Sequence, residues 1–274
     1  MKQANFMMFV FCLIFSHSAF AEDKEHDRLT KQLMNMSGLV KQIGSIPDHI
    51  QGNLMQAQQQ NGQLSQTQLK ELNEAMASAY NAKSLLANTE HYINENLTSS
   101  DMRTILEWLN SDLGKKITRF EEEGSTAESA PKIMAIAADM KNQDPKRLDK
   151  IAKLDNAIKG TESAVAMIQG IQIAMTMGMM SGMPETERMS LEQLTKRVDS
   201  SSEQLYEKYK PQVSASYLYF YRDLTDSEID QYINFATSKT ATKYHAVTTS
   251  ALSAALINAS ETLGENLFKS KTIN

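Results

Sequence analysis

The chain has 274 residues, among them 11 Gly, 5 Pro and a single Cys, with a formal charge of −5. So few turn-formers exclude a turn-rich all-β protein or a long disordered tail, and one cysteine excludes a disulfide scaffold. The acidic balance speaks against a nucleic-acid surface, while the length suffices to bury a full core in one or two domains.

Residues 1–21 have the order of a secretory signal peptide: Lys2, the apolar run Phe6 to Phe15, the polar break Ser16-His17-Ser18, then small residues at Ala19 and Ala21. The apolar run is too short for a permanent span. Cleavage is expected after Ala21, and it removes Cys12, which also lacks the small preceding residue that a lipid-attachment site needs. The expected product is a periplasmic, cysteine-free protein held together by side-chain packing alone.

Helical periodicity dominates the chain from residue 22 onward. Leu29, Leu33, Met36, Val40 and Ile43 alternate in steps of four and three, which puts them on one face of a first helix that Gly44 and Pro47 should end. The glutamine-rich stretch Gln56 to Gln63 reads as a solvated helix end and loop. Ser65, with Gln68 three residues on, forms a capping box that opens a long helix carrying Leu69, Leu72, Met76, Tyr80 and Ile93 inward. Asp144-Pro145 is a second start, since Asp caps free N–H groups and Pro fits the first helical position. Ile151, Leu154, Ile158, Val165 and Ile168 keep the period from there. After Pro184, Leu191, Leu194, Val198, Leu205 and Tyr209 do so up to Pro211. Only Tyr217 to Tyr221 hints at a strand, and Val213, Tyr217, Phe220 and Leu224 fit a helix equally well.

The chain also repeats itself. At an offset of 127, Leu97-Thr98-Ser99-Ser100-Asp101-Met102 falls on Leu224-Thr225-Asp226-Ser227-Glu228-Ile229, Tyr92 on Tyr219, Trp108 on Phe235, Ser111 on Ser238 and Lys116 on Lys243. In each copy a threonine (Thr98, Thr225) caps a helix and an acid at its third position (Asp101, Glu228) reaches back. The expectation is an all-α helical bundle built from two tandem, diverged modules, 22–143 and 144–274.

These residues resemble a family of exported bacterial helical proteins known as domain of unknown function 2059, whose motif reads Leu-Thr, two residues, an acid, then an aromatic followed by Ser-Pro-x-Gly-x-Lys. The first copy keeps Leu97, Thr98, Asp101, Trp108, Ser111, Gly114 and Lys116, with Asp112 in place of Pro. The second keeps Leu224, Thr225, Glu228, Phe235, Ser238 and Lys243, with Lys239 for Pro and Ala241 for Gly, so the helix is expected to run through where the first copy turns. The resemblance implies an exported, periplasmic, all-helical protein and brings no activity with it.

Few residues suggest chemistry. His26, His49, His91 and His245 are not spaced as metal pairs, and no nucleophile elbow, phosphate loop or zinc-protease motif is present. Glu121, Glu122 and Glu123 point in different directions at a helix end and read as solvated. The group Tyr217 to Tyr221 and Trp108 read as core aromatics. No catalytic residue and no cofactor is expected.

One segment stands apart. Ser163 to Pro184 carries no charge and holds six methionines, Met167, Met175, Met177, Met179, Met180 and Met183. Ala166, Gly170, Ala174, Gly178 and Gly182 recur every fourth residue, a smooth stripe that lets another helix approach. Burial in the core is the leading expectation, because Met fills irregular gaps and Gly permits tight crossing. The alternatives are a protein partner or self-association surface, a Cu(I) site built from Met175, Met177, Met179, Met180 and Met183, and a membrane-active hairpin. Gln169, Gln172, Thr176 and Ser181 make a poor spanning helix, so membrane association is not expected. The expected role is non-catalytic binding or protein interaction, with the ligand or partner unidentified.

Overall fold

A computed structural model describes residues 23–61, 65–180 and 184–269, so the expected leader lies outside the described residues. A first helix, α1 (23–36), stops at Ser37 and Gly38, where Gly38 takes a left-handed φ of 77°. That conformation costs a glycine little and lets the chain turn. α2 (Leu39–Gly44) then carries the same apolar face onward, and Leu29, Leu33 and Ile43 are buried on it. The break thus comes before the expected stop at Gly44 and Pro47. Pro47 instead occupies the second position of α3 (Ile46–Asn61), where the missing N–H has no intrahelical acceptor to lose.

Ser65 and Gln68 form the expected capping box at the start of α4 (Gln66–Ala79). The helix does not continue to Ile93: Asn81 accepts the Ser84 N–H at 2.9 Å and opens a separate α5 (Ala82–Asn96). Tyr80 at this joint is fully enclosed, its hydroxyl 2.6 Å from Ser260 Oγ. α6 (Ser99–Asn110) and α7 (Asp112–Gly124) come next, and α8 (Ala130–Ala138) bridges to the second half.

α9 (Pro145–Ile158) starts where Asp144 accepts the Lys146 N–H at 3.1 Å. It ends on Lys159, which is left-handed at φ 55°, and α10 (Gly160–Met180) leaves in a new direction. The buried Asp155 carboxylate secures this corner by accepting the Thr161 N–H at 2.8 Å and its O–H at 2.6 Å. Gly160 is required there, since a Cβ would fall 1.8 Å from the Tyr217 hydroxyl. α11 (Leu191–Asp199), α12 (Ser202–Phe220), α13 (Asp226–Ala236) and α14 (Lys239–Lys269) complete the chain.

Pro211 does not end a helix but lies inside α12. Both Pro211 and Glu207, whose carbonyl loses its N–H partner, are exposed, so water can take up the freed acceptor. The aromatic run from Tyr217 is the last turn of the same helix, not a strand. Among the described residues all regular elements are helices, and the fold is an all-α bundle.

α14 spans 31 residues, about 46 Å at 1.5 Å per residue. It packs along α5, α4, α6 and α10, and this sets the shape of the core. Leu33, Ile43, Leu72, Ile93 and Ile105 from before residue 143 share one apolar cluster with Ile173, Met177, Leu194, Leu256 and Leu263 from after it. A second cluster joins Ile117 of α7 to Ile151, Leu154, Tyr221 and Ile229.

Candidate functional site

The two copies of the motif come together in space. Thr98 Oγ1 accepts the Asp101 N–H at 3.1 Å, while Asp101 Oδ2 accepts the Thr98 N–H at 3.1 Å and its O–H at 2.8 Å. Thr225 and Glu228 repeat the arrangement at 3.2, 2.8 and 3.0 Å. Each acid has a further task. Lys243 Nζ donates to Asp101 at 2.7 Å, and Lys116 Nζ donates to Glu228 at 2.6 Å. Each lysine closes one copy of the motif and each acid opens the other copy. The opposing lysine is the main cause holding each carboxyl below its ordinary range. Trp108 and Phe235, the equivalent aromatics, stack on one another with centroids 4.2 Å apart and planes 7° from parallel.

The hinge after each aromatic is also kept. Ser111 accepts the Gly114 N–H at 3.0 Å, and Ser238 accepts the Ala241 N–H at 3.3 Å. The helix therefore does not run through the second copy, despite the missing Pro and Gly. Capping by Ser238 supplies the acceptor that ends one helix and begins the next. In the first copy a Cβ at position 114 would sit 2.1 Å from the Trp108 carbonyl oxygen. Ala241 is tolerated because two residues, Thr237 and Ser238, separate α13 from α14, whereas Ser111 alone separates α6 from α7.

Beside the stacked pair lies a carboxyl that the pattern of charges concealed. Glu122 pairs with Lys41 and Glu123 with Arg119, but Glu121 turns inward, contrary to the expectation of three solvated acids. The Tyr221 hydroxyl, itself 0% exposed, donates to Glu121 Oε1 at 2.5 Å, and Tyr232 also bonds it. Burial pushes the Glu121 carboxyl up to about 7. Helical register carried the signal: Gly114, Ile117, Glu121 and Gly124 succeed one another in steps of three and four along the inner face of α7. Burial likewise raises the Tyr217, Tyr221 and Tyr232 hydroxyls and pushes the Tyr244 hydroxyl up to about 12.

His26, His49, His91 and His245 serve separate places. His26 on α1 bridges Ser99 Oγ and the Asn94 carbonyl, each at 2.8 Å, and so fastens α1 to the start of α6. His91 faces Glu95 on its own helix, and His49 is exposed. His245 on α14 is mostly enclosed, with no hydrogen-bond partner for Nε2, and burial lowers its pKa to about 4.

The methionine segment enters the core. Met177 and Met180 are buried with Ile173 in the cluster shared by both halves, and Met167 packs against it. Gly170 meets α14 closely, since a Cβ there would lie 2.7 Å from Leu256 Cδ1 and 3.0 Å from its Cβ. Ala166, one turn earlier, is partly buried. Two of its polar residues find partners on neighbouring helices: Gln169 donates to the Val198 carbonyl at 3.1 Å and Ser202 Oγ at 2.7 Å, and Ser163 meets Thr249 at 2.7 Å. The side chains of Ala174, Met175, Gly178 and Met179, and all of residues 181–183 with Gly182 and Met183, lie outside the described residues. Among the described residues, no helix is long and apolar enough to cross a membrane, and no three His, Cys, Asp or Glu gather as a metal site.

Compared with family models, curated proteins and solved structures, the chain matches none of them. The resemblance to domain of unknown function 2059 thus rests on the motif residues themselves.

Proposed function

We propose that the chain is an exported, non-catalytic protein of the periplasm that acts by binding another protein. The observation that supports this is the outer face of α8. The helix is seated on α12 through Ile133, yet Met134 is 65% exposed, and Ala130, Pro131, Ala135 and Ala138 are exposed or half-buried around it. Lys132 is the only charged residue in the helix. An adaptable thioether among small apolar groups gives up little hydration on docking and adjusts to the shape of its partner. The motif residues serve this role indirectly, because their polar atoms are engaged in capping and in joining the two halves.

The copper reading has no such support, because Met177 and Met180 are committed to the shared core. A photo-crosslinking amino acid at position 135, activated in intact cells, tests the proposal. Discrete adducts are expected, and they should disappear when Met134→Glu is added to the same chain. Labelling no stronger than from position 70, where the Lys70 side chain is 78% exposed on a polar surface, would overturn it.

A further inference from the structure

The contacts between the two motif copies obey an exchange rule. Replacing each residue by its counterpart 127 positions away turns Lys116–Glu228 into Lys243–Asp101 and turns Trp108–Phe235 into itself. The helices obey the same rule. α7 packs against α12, and its counterpart α14 packs against α5, the counterpart of α12. Gly124 shows how close this approach is, for a Cβ there would lie 2.2 Å from Phe220. The positions 127 residues away, Ala251 and Ile93, are both fully buried on α14 and α5.

The correspondence extends beyond the motif. Gly38 and Lys159, the left-handed residues among those described, stand 121 positions apart, and each ends the helix that packs on a motif helix. On one side α1 reaches α6 through His26–Ser99 and through Thr30, whose hydroxyl lies 3.4 Å from Met102 Sδ. On the other, α9 reaches α13 through Arg147–Asp226 at 2.9 Å and through the Lys150–Asp230 pair. Six residues added between the left-handed corner and the motif account for the change of offset from 121 to 127.

Contacts that map onto themselves when the partners are exchanged define a two-fold, isologous interface, the kind that joins identical subunits. We infer that the chain is two diverged copies of one dimer-forming unit fused end to end, and that the surface each half presents to the other fits the same unit on a second copy of this chain. The fused halves fill that surface internally. When chains refold side by side, a half from one molecule can take the place of its own partner in another, giving an exchanged dimer through residues 125–144. This inference is independent of the binding face on α8.

Two measurements on the full chain test it. NMR titration of the carboxyls comes first: Lys116→Met should raise the pKa of Glu228 and leave Asp101 unchanged, and Lys243→Met should do the converse. An effect of either lysine on the acid of its own copy would overturn the crossed pairing. Next, chains carrying Lys116→Glu and chains carrying Glu228→Lys are refolded at high concentration, separately and mixed. Alone, each variant sets like charges against one another. In the mixture the new acid at 116 can face the new base at 228 on the other chain, while Lys116 of the second chain faces Glu228 of the first. A dimer holding one of each chain, several-fold more abundant than any dimer in the separate samples, is expected by light scattering and native mass spectrometry. No excess of dimer in the mixture overturns the proposed partner.

Discussion

Glu121 and His245 are both largely enclosed, and burial moves their proton equilibria so that they oppose one another. Glu121 has a carboxyl raised to about 7 from 4.5, so the folded state holds a proton that the unfolded state releases. Its contribution is therefore favourable below pH 4.5 and is lost as the pH rises toward 7. His245 is lowered to about 4 from 6.5, so its contribution is lost as the pH falls from 6.5 toward 4. Each shift corresponds to about 3 kcal/mol at most, at roughly 1.4 kcal/mol per unit. Between pH 4.5 and 6.5 the two should nearly cancel in the parent chain. Glu121→Gln keeps an acceptor for Tyr221 and removes the charge, so stability should then fall on acidification across that window. His245→Gln should reverse the trend. Urea unfolding at about pH 4.5, 5.5 and 6.5 measures all three chains, and parallel curves would contradict the assignment.

Helices here are positioned by what meets at their crossings. Gly170 lets α10 approach α14 until Leu256 lies where a side chain would begin. Gly170→Leu should therefore destabilise by about 1–3 kcal/mol through overpacking, with part of the loss restored by Leu256→Ala. The same logic separates the two hinges. Gly114→Ala would drive a methyl into the rigid Trp108 carbonyl, while Ala241→Gly only removes a buried methyl group and loosens the start of α14. The first change should cost more, and thermal melts of the two single variants decide the order. Equal costs would mean that the hinge, not the packing around it, absorbs the added atom.

The whole molecule should unfold as one unit. Its main cluster draws on α1 to α6 and on α10, α11 and α14, so neither half can lose its structure and leave the other half's core covered. Trp108, the only tryptophan, sits against Tyr232 and Phe235 at the junction and reports on the contact between halves. Its fluorescence and the far-ultraviolet circular dichroism should therefore give coincident urea transitions. A fluorescence change at clearly lower denaturant would show that the halves part before they unfold.

Sequence alone determined the all-helical class and the caps at Ser65, Thr98, Asp144 and Thr225, because each depends on residues within about one helical turn of one another. Helix ends were less legible where conformation depends on contacts elsewhere: Tyr80 at the α4–α5 joint meets Ser260, 180 positions away. Pro211 looked like a stop because a proline forfeits one hydrogen bond, yet an exposed carbonyl tolerates that loss. Tertiary structure alone decided which acid faces which lysine, which tyrosine meets the inward Glu121, and how the two halves share their core. Such pairings join residues about a hundred or more positions apart, and local periodicity holds no record of them; only the closure of the bundle brings Lys116 to Glu228 and Tyr221 to Glu121.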